Sequence, residues 1–67
     1  MNFTYVNSSN LKGIVINKNN LVILFHTGEM YEYIGASYEY YNLLNSISKG
    51  KYFHQYIKNK YPTIKIN

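Results

Sequence analysis

The chain has 67 residues, with seven lysines, no arginine, three glutamates, no aspartate and no cysteine, for a formal charge of +4. That length suits one small domain and excludes most folds that set a catalytic cleft between two halves. The absence of cysteine removes disulfides, thiolate zinc sites and cysteine nucleophiles together, so the core must hold by packing alone. Asn, Lys, Ile, Tyr and Phe make up 37 of the 67 residues. AT-rich codons favour these residues, so codon composition explains part of the charge and of the tyrosine excess. The charge is uneven. Residues 1–48 hold two lysines and three glutamates, whereas residues 49–67 hold five lysines and no acid.

The longest apolar run, residues 21–25, falls far short of the ~20 residues that span a bilayer. Residues 1–5 lack the basic and apolar regions of a signal peptide, and no lipidation motif is present. A cytoplasmic protein without a membrane partner is expected.

Residues 11–17 are rich in β-branched residues, with Ile14 and Ile16 on one face, and form the first predicted strand. Lys18-Asn19-Asn20 is a turn cluster in which Asn tolerates the left-handed region. Residues 21–25 are apolar on both parities, as in a central strand covered on both sides. Gly28 supplies the positive φ of a hairpin turn, and residues 30–34 form the next strand, with Tyr31 and Tyr33 on one face and Glu32 on the other. Ser37 is the expected N-cap of a helix carrying Glu39 in its first turn. Its core stripe is Tyr40, Leu43, Leu44 and Ile47. Ser48 can cap a second helix, from about Lys51 to Lys58 or Tyr61, with Phe53 and Ile57 buried; Pro62 stops it. Residues 2–6 and 63–66 are candidate edge strands. The expected class is α+β, a short antiparallel meander of three to four strands followed by two helices packed on one face.

In this order the residues resemble the KTSC domain family. The resemblance runs through Val6-Asn7-Ser8-Ser9-Asn10-Leu11, Leu21-Val22-Ile23-Leu24-Phe25, the Gly28 turn and the motif Tyr31-Glu32-Tyr33. It closes with Ser48-Lys49-Gly50-Lys51-Tyr52-Phe53 and the stretch from Ile57 to Pro62, and it implies a single domain over residues 1–67 with a core over about residues 6–66. The chain departs from the family pattern at Val15-Ile16-Asn17, at Ala36-Ser37, and at His54, where the family often has Asn. The resemblance implies the fold, and it implies RNA binding in small bacterial and phage proteins.

Two surfaces are candidates for a ligand. Tyr31 and Tyr33 could stack bases or pack beneath the helices, with packing the plainer reading. Ser48, Lys49, Lys51, His54, Lys58 and Lys60 could cradle phosphates. The Ser48–Lys51 stretch forms a helix N-terminus suited to an anion, and Lys51 and Lys58 lie seven residues apart on one helical face. Ser8 and Ser9 are secondary candidates, with a turn-forming role favoured. The two histidines and three glutamates are too scattered for a metal, and His26 is expected to contact Glu29 across the hairpin. No catalytic constellation, cofactor motif or Gly-rich phosphate loop is present, so an enzyme is not expected. The leading expectation is a non-catalytic module for RNA or a small anionic nucleotide. The alternative is a phage or bacterial counter-defence protein, a homo-oligomer that sequesters a signalling nucleotide or blocks a host protein.

Overall fold

A computed structural model describes all 67 residues. Five strands form one antiparallel sheet in sequence order: β1 (Thr4–Tyr5), β2 (Leu11–Asn17), β3 (Asn20–Phe25), β4 (Met30–Tyr33) and β5 (Thr63–Lys65). Between β4 and β5 the chain forms α1 (Glu39–Leu44) and α2 (Lys49–Tyr52), the latter continuing as a π-helical segment, Phe53–Ile57. The class is α+β. The strand number exceeds the expected three to four because both terminal segments pair, β1 with β2 and β5 with β4.

Strand parity divides the sheet. Ile14, Ile23 and Tyr31 lie in one cross-strand row, and Leu21 with Tyr33 in the next. This inner face meets the helices. Leu11 joins it although it lies three residues before Ile14, a spacing that would put them on opposite faces of a regular strand. A register shift between Leu11 and Gly13 reverses the parity, as a β-bulge does. Leu11, Ile14, Leu21, Ile23, Tyr33, Ala36, Leu43, Phe53 and Ile57 make the buried cluster. The outer face carries Val15, Val22, Glu32 and Ile64 in one row. There Asn17 and Asn20 each donate a side-chain hydrogen bond to Glu32 Oε2, at 3.0 and 2.9 Å.

Local details correct the expectations. The left-handed residue of the β2–β3 turn is Lys18 (φ 58°), not an asparagine. Gly28 adopts φ 94°, as its turn requires. The N-cap of α1 is Tyr38 rather than Ser37, because the Gly35–Tyr38 turns already bring the Tyr40 amide onto the Ser37 carbonyl. Helix α1 ends at Leu44, so Ile47 falls outside it and is fully exposed. Tyr40, Leu43 and Leu44 keep their core side. Helix α2 starts two residues early, at Lys49, and the helical run ends at Ile57. Lys58 is extended and Asn59 left-handed (φ 63°), so the helix stops before Pro62 acts. His26 Nε2 meets the Ser8 carbonyl oxygen at 2.8 Å, while Glu29 pairs with Lys65 at 3.3 Å; the expected His26–Glu29 contact does not form.

Glu39 does more than complement a helix terminus. Its carboxylate accepts hydrogen bonds from Tyr52 (2.5 Å) and Tyr61 (3.0 Å), tying α1 to α2 and to the segment leading into β5. Burial, then the hydrogen bond to Glu39, push the Tyr52 phenol up to about 12. The same causes raise Tyr61. Burial, followed by the neighbouring Tyr31, pushes Tyr33 up to about 12. The folded chain therefore holds these protons above the ordinary phenol pKa of about 10. The contribution of Tyr33 and Tyr52 to stability is complete below pH ~10 and is lost as the pH rises through about 12, where the unfolded chain has already ionised. Glu39→Ala should lower stability by about 1–2 kcal/mol, the scale of charge-assisted bonds in a partly exposed setting, or about 5–15 °C in Tm. Glu39→Gln should lose less because it keeps an acceptor. Thermal melts of both, with a tyrosinate absorbance titration of the parent chain, check this. A titration in which all nine tyrosines ionise together near pH 10 would contradict it.

Candidate functional site

Two grooves flank the helical segment on the side that faces the Ser8–Asn10 loop. The first, of about 480 Å³, has an aromatic floor of Phe25, Tyr31, Tyr33 and Phe53. In its floor the rings pack edge to face. Centroids lie 5.5 Å apart for Phe25–Phe53, 5.7 Å for Tyr33–Phe53 and 5.9 Å for Phe25–Tyr31. The strand period brings these rings together: Tyr31 and Tyr33 project from β4, Phe25 ends β3 on the same face as Leu21 and Ile23, and Phe53 descends from the helix. Polar groups stand at the rim, among them Asn10, Thr27, Asn59 and Thr63. The second groove, of about 700 Å³, has no apolar residue in its wall. Ser8, Ser48, Lys49, Gly50, Lys51 and Gln55 contribute to it. The two share Ser9, Asn10 and His54, so they are neighbours across one wall, and His54 is the helix residue in that wall.

The sequence-derived candidates divide between these grooves. Tyr31 and Tyr33 border the aromatic one, but Tyr33 is only 4% exposed and belongs to the core. Packing therefore explains Tyr33 better than base stacking, and Tyr31 is the less buried ring of the pair. Lys58 borders the aromatic groove and Lys51 the polar one. Their expected common face is not formed. The segment from Phe53 carries the i→i+5 pattern of a π-helix, closed by the Lys58 amide on the Phe53 carbonyl at 2.8 Å. Each such turn takes an extra residue, so seven residues no longer complete two turns.

Ser48 occupies the N-cap of α2 without a side-chain cap bond, and the α-helical part is one turn long. The helix dipole is thus small, and the cationic character of the polar groove rests on Lys49 and Lys51. Lys49 Nζ donates to the Ser46 carbonyl oxygen at 3.0 Å, which fixes its ammonium at the groove edge. Ser8 Oγ accepts from the amides of Asn10 and Leu11, at 3.4 and 3.3 Å, so this serine shapes the loop. Ser9 lies in the shared wall. Lys60 is exposed and borders neither groove. Sequence reasoning missed Asn10, Asn59 and Thr63. Their only signal is their place beside turns, which gives no sign that the fold gathers them.

The KTSC domain model matches residues 7–61. The chain belongs to the KTSC domain family. The crystal structure of a KTSC domain protein from Yersinia pestis is similar at 30% identity, with a TM-score of 0.89, over 98% of this chain and 97% of that one. A search of curated proteins finds no match. In this KTSC domain the family-like segments supply both grooves. The Ser8–Asn10 loop and the Ser48–Lys51 turn line the polar one, and the Tyr31-Glu32-Tyr33 strand lines the aromatic one. His54 sits in the wall between them. No group of three or more His, Asp or Glu side chains gathers as a metal site, and no helix is long and apolar enough to cross a membrane.

Proposed function

We propose that this KTSC domain is a small non-catalytic module that binds RNA, its phosphates held beside Lys51 and Lys58 and its bases directed to the aromatic groove. One observation carries the reading: a packed aromatic floor and a lysine-bearing groove with no hydrophobic residue in its lining share a wall. Nucleotides combine those two chemistries, a flat apolar ring and an anion. Lys65 is paired with Glu29, so the grooves draw on Lys49, Lys51 and Lys58. Binding through three lysines should fall with salt at about −0.7 log units per log unit for each phosphate neutralised, a slope near −2. Filter binding of a polynucleotide at two salt concentrations tests this. No retention at low salt would end the reading.

A second reading, the homo-oligomeric counter-defence protein, draws on the outer sheet face. Tyr5 and Ile64 there are 67% and 53% exposed, one on each edge strand of the sheet, where a second copy could cover them. Light scattering at high concentration decides it, since a strict monomer removes the oligomer.

A further inference from the structure

We infer that the two grooves divide a single strand of RNA between them, one unstacked base entering the aromatic groove while the adjoining phosphate lies in the polar one. The inference rests on the RNA-binding reading above and adds the form of the RNA. The aromatic groove, about 480 Å³, falls in the size range of small-molecule sites and has room for a nucleobase. Its floor offers the half-buried ring of Tyr31 and the rings of Phe25 and Phe53. Its rim offers Asn10, Asn59 and Thr63, whose side chains can both donate to and accept from a base edge. Beyond the His54 wall, the polar groove is lined by no aliphatic or aromatic hydrophobic residue on which a base could stack, and it carries Lys49 and Lys51.

Charge agrees with this division. Lys58 stands at the aromatic groove, and Glu29, the one acid lining either groove, is matched by Lys65 at 3.3 Å. A polyanion following the two grooves therefore meets three lysines and no free carboxylate. A duplex cannot use the arrangement, because its base faces are stacked on one another and only edges and backbone are presented. Single-stranded segments splay their bases out and stack them on aromatic side chains.

The test is fluorescence anisotropy on the unaltered chain with three labelled probes of about ten nucleotides, a length within the usual site sizes. These are a single-stranded RNA, the same strand annealed to its complement, and an abasic strand of equal length. The single strand should bind at least ~10-fold more tightly than the duplex. It should also bind about 5–150-fold more tightly than the abasic strand, the range expected for one stacked base. A duplex or an abasic strand that binds as tightly as the single strand overturns base insertion and leaves phosphate binding standing. Failure of all three probes to bind at low salt removes the RNA reading itself, and this inference with it.

Discussion

Phe53→Ala should leave the chain without a cooperative unfolding transition. Phe53 is 6% exposed, heads the π-helical segment, and is the ring that both Phe25 and Tyr33 meet edge to face. Removing a buried Phe side chain costs about 3–5 kcal/mol. A domain of this size holds only about 3–10 kcal/mol in total, at 0.05–0.15 kcal/mol per residue. No disulfide compensates. Phe53→Leu keeps most of the apolar volume and should melt cooperatively at a lower temperature. Circular dichroism during heating distinguishes the two. An alanine variant that melts within a few degrees of the parent would show that the aromatic cluster contributes little to the core.

Lys51→Ala combined with Lys58→Ala should weaken RNA binding by about 5–150-fold, since two charge-assisted contacts are worth about 1–3 kcal/mol. Both residues are exposed, and surface substitutions usually change stability by no more than about 0.5 kcal/mol. The melting temperature should therefore shift by only a few degrees. Because one lysine borders each groove, either single substitution should give an intermediate loss. A double variant that binds like the parent would place the RNA elsewhere, and one that unfolds would make the lysines structural.

Much of the fold is legible in the residues. The β-branched run of β2, the doubly apolar β3 and Gly28 mark the meander, and period two puts Tyr31 and Tyr33 on one face. Other features lie beyond pattern reading for definite reasons. Phe53 and Ile57 sit four apart in either an α- or a π-helix, so their spacing does not reveal the extra residue in the turn. Ile47 continues the apolar stripe, yet α1 has ended, and its last amides already bond within the turn at Asn45 and Ser46. The bulge at Lys12 is silent in composition because Leu11 and Ile14 are both plausible core residues. The Glu39 clamp joins residues 13 and 22 positions away, a separation that no local signal encodes.

The site was legible in parts. Lysines near the second helix and tyrosines on a strand are visible in the sequence, and so is the Ser8-Ser9 pair. That they form two grooves with one common wall depends on the Ser9–Asn10 loop meeting His54, which only the fold brings about. The buried state of Tyr33 follows from the same packing, because Phe53 closes over it.

The most direct test of the account maps the RNA onto the fold. In a titration of the isotope-labelled chain with single-stranded RNA, backbone amide chemical shifts should move at Ser9, Asn10, Lys51, His54 and Lys58, with little change at Val15, Val22 and Ile64 on the outer sheet face. Shifts concentrated on that outer face, or none at a saturating excess of RNA, would contradict the claim that the joined grooves are the binding site.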